Sequence, residues 1–143
     1  MPPPVPAPAA GLPATTPRSR RRVLVVDDSA LILHAARLAL EQVSGFEVLT
    51  AGSAEDGLAA AVSAEPDAIL LDLVMPGTDG MVVARQLAAC PSTRSIPVVM
   101  MTATDADAFR SLLDSVPARG LIAKPFEVAA LGDQLRSLLG WSA

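Results

Sequence analysis

From Val23 onward, short apolar runs alternate with segments of helical period, and this alternation most restricts how the chain can fold. Val23-Leu24-Val25-Val26, Phe46-Glu47-Val48-Leu49, Ala68-Ile69-Leu70-Leu71, Val98-Val99-Met100-Met101 and Gly120-Leu121-Ile122-Ala123 read as five strands. Four of them are continuously apolar, as strands covered on both faces should be, whereas the second alternates and suits a sheet edge. Between them Leu33, Ala36, Leu40 and Val43 recur at helical spacing, as do Ala54, Gly57, Leu58, Ala61 and Val62, then Val83, Ala84, Leu87 and Ala88, and finally Val128, Leu131, Leu135 and Leu138. Ser53 ahead of Asp56, Thr78 and Asp79 ahead of the third helical run, and Thr104 ahead of Asp107 are N-cap candidates, whose side-chain oxygens can satisfy the free N–H groups of a first turn. Five strands alternating with five helices imply βαβ units with right-handed crossovers: an α/β domain built on a doubly wound five-stranded parallel sheet of order 2-1-3-4-5.

One such domain accounts for residues 22–140. Residues 1–21 are rich in Pro, Ala and Arg, the composition of an extended, poorly ordered tail, and residues 141–143 form a short C-terminal tail. Charge is divided unevenly between these parts. Arg18, Arg20, Arg21 and Arg22 supply four of the eleven bases and no acid falls before residue 23, so seven bases face fifteen acids in residues 23–143, a net charge of −8. A surface of that sign is a poor partner for nucleic acid or for an anionic membrane. Cys90 is the single cysteine, which excludes an internal disulfide, and no run of about eighteen apolar residues is present to span a bilayer. A soluble protein of a reducing cytoplasm is expected.

The chemistry is concentrated where the strands end. The first strand runs into Asp27-Asp28, the third into Asp72, the fourth into Thr102 and the fifth into Lys124. In an open parallel sheet these positions share one rim, and ligands bind there where the winding direction reverses, between the first and third strands. Three carboxylates gathered at one point repel one another unless a cation sits among them. Oxygen donors without a neighbouring Cys or His favour Mg²⁺.

These residues carry a family resemblance. Val25-Val26-Asp27-Asp28-Ser29, the segment from Leu70 to Gly80 around Asp72, Met101-Thr102-Ala103 and Ala123-Lys124-Pro125-Phe126 resemble, in order, the metal-binding pair, phosphoacceptor segment, switch hydroxyl and conserved lysine of response-regulator receiver domains. The spacings of 44 residues from Asp28 to Asp72, 30 on to Thr102 and 22 on to Lys124 are similar to those of chemotaxis response regulators. The resemblance implies a flavodoxin-like fold and a phosphoacceptor that takes a phosphoryl group on Asp72 from a histidine kinase or a histidine phosphotransfer protein. It further implies Mg²⁺ held by Asp28 directly, by Asp27 largely through water, by Asp72 and by the backbone carbonyl of Val74. Lys124 and Thr102 would each hold a phosphoryl oxygen, and Lys124-Pro125 would be a cis peptide. The phosphoryl group would then bias a two-state equilibrium of the fourth helix and fifth strand, and output would run through contacts with a downstream protein. The implied molecule is not an enzyme beyond phosphorylating itself and slowly losing the group.

Two other functions compete with this one. A Mg²⁺-dependent aspartyl phosphatase would use the same nucleophile, but it places an acid/base Asp two residues later, where Val74 stands. A pseudo-receiver would bind partners without phosphorylation; the acids and the lysine it usually lacks are all present, although Leu121 occupies the place of the usual aromatic residue. His34, Cys90 and Trp141 are read as ordinary packing or surface residues, and Gly77 and Gly80 as loop-conformation residues. Val74 and Thr104, two positions beyond Asp72 and Thr102, are neither acids nor amides suited to orienting an attacking water, so a long-lived acyl phosphate is expected. Val74→Asn should shorten its half-life several-fold, read as the decay of phosphorylated chain after the donor is removed; an unchanged half-life would refute this role for Val74.

Overall fold

The computed structural model describes residues 20–75, 77–103 and 117–141. Its central sheet contains β1 (Arg22–Val26), β2 (Glu47–Ala51), β3 (Ala68–Asp72), β4 (Val98–Thr102) and β5 (Gly120–Ala123), all parallel, in the order β2-β1-β3-β4-β5. Four helices are described: α1 (Ala30–Arg37), α2 (Ala54–Ala64), α3 (Gly80–Ala89) and α4 (Leu131–Leu139). The helix expected after Thr104 and the tail through Ser19 lie outside the described residues.

Period-two alternation along the strands divides the interior into two layers. Val23, Val25, Leu70, Val99 and Met101 face α1 and α4, while Leu24, Val26, Ile69, Leu71 and Met100 face α2 and α3. Burial on both faces explains why residues 23–26, 68–71 and 98–101 include no polar side chain. The edge strand β2 is less covered than the central strands but does not alternate: Val48 is buried in one layer and Ala51 in the other, while Glu47, Leu49 and Thr50 are partly covered. Phe46, read from the sequence as part of that strand, precedes it; its N–H bonds to the Leu40 carbonyl and closes the turn out of the first helical segment.

The first helical segment departs from a simple 3.6-residue reading. After Arg37 it continues as a π-helical stretch over Leu38–Val43, whose wider turn shifts the phase of the inward face. Ala39 and Leu40 are buried there, whereas Val43, aligned with the core by α-helical counting, is 55% exposed. Three of the four helix starts follow capping chemistry: Ser29 Oγ accepts from Ile32 N at 3.3 Å, Ser53 Oγ from Asp56 N at 3.1 Å, and Asp79 Oδ1 from Met81 N at 2.8 Å, whereas α4 follows Ala130 without a side-chain cap.

At the end of the sheet where β1 begins, aromatic and cationic groups are layered. Arg21 lies 4.4 Å over the Trp141 ring, Trp141 meets Phe46 edge to face at 5.6 Å, and Arg136 lies 4.9 Å from Phe46 on its other contact. Arg22 joins β1 to its surroundings through Glu47 at 3.3 Å and through its own N–H to Asp67 Oδ2 at 2.7 Å.

Between β3 and α3, a short antiparallel ribbon pairs Val74–Met75 with Thr78–Asp79 and turns the chain sharply back. Gly77 adopts the left-handed conformation, at φ +73°. Gly80 serves a different purpose: α3 starts so close to the end of β3 that a Cβ at this position would press into the Asp72 carbonyl oxygen and sit 2.8 Å from the Leu73 Cα. Its N–H also bonds to the Leu73 carbonyl at 2.7 Å. Backbone cannot retreat as a flexible side chain can, so Gly80→Ala should destabilise the domain by roughly 1–3 kcal/mol in urea unfolding. An unchanged midpoint would show that α3 can shift freely.

Candidate functional site

Asp27 is the first residue beyond β1 and is completely buried. Its N–H bonds to the Ala51 carbonyl at 3.1 Å, and its Oδ1 accepts the Ser29 N–H at 2.9 Å. Because Ser29 also caps α1, the carboxylate is tied to the helix start and cannot swing away without disturbing that cap. Asp28, next in the chain, is exposed. Asp72 ends β3 at 3% exposure, where its Oδ1 receives the Val74 N–H at 3.4 Å. Thr102 ends β4 and is buried, and its carbonyl accepts the Lys124 N–H at 2.8 Å, which fixes the start of the loop after β5. The Lys124-Pro125 peptide is cis.

The side chain of Lys124 then crosses the rim. Its Nζ donates to Asp27 Oδ2 at 3.0 Å and to Asp72 Oδ1 at 3.2 Å, joining the loops after β1 and β5 to the end of β3. One oxygen from each of Asp27, Asp28 and Asp72 lies within 4.8 Å of the others. Five sequence-predicted side chains therefore stand on one rim, and the structure brings four of them, the three acids and the amine, into a single cluster. Val74 borders it and is 65% exposed.

At such separations two carboxylates repel by a few kcal/mol even at the effective dielectric of a partly buried site. Burial holds the Asp72 carboxyl above its ordinary range, and the nearby Asp27 charge pushes it further; the Lys124 hydrogen bond and charge and the Val74 N–H pull it back without cancelling the rise. For Lys124, burial works against the ammonium, but the hydrogen bonds to Asp27 and Asp72 and their charges outweigh it, so its pKa is raised. One ammonium thus offsets only part of three acids. An all-oxygen donor set with residual negative charge fits a small hard divalent cation, and these three acids could hold one.

The response regulator receiver domain family matches residues 23–136, most of the chain. The chain belongs to this family. Protein PilH of Pseudomonas aeruginosa is 34% identical over 118 residues, covering 82% of this chain and 97% of PilH. Response regulator PleD of Caulobacter vibrioides is 41% identical over 119 residues, which are 82% of this chain but 26% of PleD. The receiver therefore spans nearly the whole of one relative and about a quarter of another. Among solved structures, the chemotaxis response regulator CheY4 of Vibrio cholerae superposes with a TM-score of 0.77 at 28% identity, covering 84% of this chain and 99% of CheY4. As a receiver domain with a flavodoxin-like fold, the protein is a phosphoacceptor of two-component signalling. Among the described residues, no helix is long and apolar enough to cross a membrane.

Three parts of the site escaped the sequence reading. Ser29 holds Asp27 through its backbone N–H, which the Asp-x-Ser spacing could have suggested as an Asx turn. Gly80 permits the close approach of α3 to Asp72; proximity, not an unusual backbone angle, is what requires a glycine there. The bond from Lys124 to Asp27, in addition to Asp72, depends on the relative position of two loops 97 residues apart and has no local signal.

Because the Asp72 pKa is raised on folding, its ionised form opposes the folded state. In metal-free protein this penalty is absent below the ordinary value of 3.8, grows as pH rises through the raised folded value, and is constant above it. Asp72→Asn should therefore melt a few degrees above the wild type in EDTA at neutral pH, the difference closing as pH falls towards 4. Equal melting temperatures at both pH values would contradict this account of the cluster.

Proposed function

We propose that Asp72 is the phosphoacceptor, that Asp27, Asp28, Asp72 and the Val74 carbonyl hold Mg²⁺, and that Lys124 and Thr102 hold oxygens of the transferred group. The observation that carries this reading is the Asp72 carboxylate itself, at the strand end with Lys124 at 3.2 Å and two further acids beside it. An Asp72 oxygen attacks the phosphorus of a phosphohistidine on a histidine kinase or a phosphotransfer protein. The new O–P bond forms as the P–N bond breaks, and the imidazole nitrogen retains the electron pair. When bound, Mg²⁺ offsets charge on the phosphoryl oxygens. Lys124 supplies a compact point charge to one of those oxygens, and the Thr102 hydroxyl a hydrogen bond to another.

In this reading residues 22–140 form the switching unit, working in the cytoplasm and passing the signal to a downstream protein. The negative charge of the domain supports a protein partner over nucleic acid. No described feature favours a phosphatase, since Val74 offers no acid/base group two positions beyond Asp72.

The test is intact mass after incubation with Mg²⁺ and acetyl phosphate. One added phosphoryl group per chain is expected for the wild type and none for Asp72→Asn. Continuous consumption of the donor far beyond one equivalent would favour a phosphatase, and a metal-loaded chain that gains no group would favour the pseudo-receiver.

A further inference from the structure

At the end of the sheet opposite the acids, a cavity of about 310 Å³ opens between the segments that lead into β4 and β5. Residues 94–98 and 117–119 line it; Arg94, Ser95 and Arg119 are its polar residues, and none of the described residues around it is an acid. Both arginines are exposed, and neither has an ion-pair partner among the described residues, whereas Arg22, Arg37 and Arg136 are paired with Glu47, Glu41 and Asp133. Ile96 and Ala118 pack against the buried layer facing α2 and α3 and give the cavity an apolar side. Backbone bonds fix this frame before anything binds. Thr93 is buried, and its Oγ1 donates to the Leu87 carbonyl at 2.7 Å. The Arg94 N–H bonds to the Cys90 carbonyl and the Ile96 N–H to the Thr93 carbonyl, both at 2.9 Å, while the Arg119 N–H bonds to the Val98 carbonyl at 2.7 Å. Pro97 and Pro117 restrict their own φ angles as well.

Two guanidiniums and a hydroxyl without an acid select an anion. A phosphate monoester, close to doubly charged at neutral pH and carrying three acceptor oxygens, matches two arginines better than a single carboxylate does. The space suits more than a bare phosphate, since small-molecule sites begin at roughly 300 Å³, and the apolar side can cover a carbon group next to the charge. The five residues of β4 separate the cavity from the rim, a strand length on the order of 17 Å. That is about two Debye lengths at physiological salt, so the acids of the rim repel an anion here only weakly. We propose that this cavity binds a small organic phosphate monoester, its phosphate meeting Arg94 and Arg119 and its carbon part resting on Ile96 and Ala118. The site stands apart from the Asp72 cluster, and its ligand clamps together the segments that enter β4 and β5.

Phenyl phosphate is the probe, titrated into the full chain in EDTA, which keeps metal from the rim, and followed by ¹H–¹⁵N amide spectra. Binding should move the amide signals of Ser95, Ile96, Ala118 and Arg119 and leave those of Asp28 and Asp72 in place. Its affinity should exceed those of inorganic phosphate and of benzoate about five-fold, because each of these lacks one half of the contacts. Arg94→Gln and Arg119→Gln should each weaken it about ten-fold, while replacing Arg85, an exposed arginine of α3 outside the cavity, with Gln should leave it unchanged. Both cavity arginines are exposed, so the variants should melt with the wild type in the absence of probe, and the wild-type spectra locate the probe without any variant. Signals that stay still at millimolar phenyl phosphate, or that move only around Asp28 and Asp72, would overturn the site. Equal binding of inorganic phosphate or of benzoate, or unaltered affinity in both cavity variants, would overturn the assignment of an organic phosphate held by these two arginines.

Discussion

The architecture of the rim depends on one ammonium shared by two carboxylates that lie at the ends of neighbouring strands. Burial sets Asp27 and Asp72 side by side, and Lys124, bonded to both, offsets part of the repulsion between them. The contact reaches from the loop after β5, at the sheet edge, across to β3 and β1. The Asp72 carboxyl is thereby held in a fixed place, with burial and the Asp27 charge still raising its pKa against the pull of Lys124.

The supporting parts are all local. Ser29 orients Asp27 while starting α1, and the Lys124 N–H anchors its loop to the Thr102 carbonyl. Gly80 lets α3 begin against the backbone of Asp72, so that the end of β3 is packed from below by a helix start. Each device uses backbone groups, which leaves the side chains at the rim available for chemistry.

Fold class and strand order were legible because burial on both faces forces continuous apolar runs, and a run as short as Ala68–Leu71, bounded by polar residues, suits a central strand better than a helix. The site was legible for a related reason: a polar residue closing an otherwise apolar strand, as with Asp72 and Thr102, marks the rim. What the sequence concealed is geometric. The π-helical stretch after Arg37 changes the phase of the inward face without any marker residue, so Val43 counts as core by spacing and is exposed in space. The Lys124 bond to Asp27 likewise depends on how two distant loops are placed, which propensity and spacing do not encode.

The layered stack of Arg21, Trp141, Phe46 and Arg136 lies at the start of β1, whereas the acids lie past its other end, on the order of 20 Å away for a six-residue separation along a strand. Trp141 is the sole indole of the chain. Its ultraviolet emission will register the melting of the Phe46 layer, yet remain dark to events among the acids. An optical assay of ion uptake in this protein therefore needs an indole introduced near the rim, at the opposite end of the sheet from the one evolution placed.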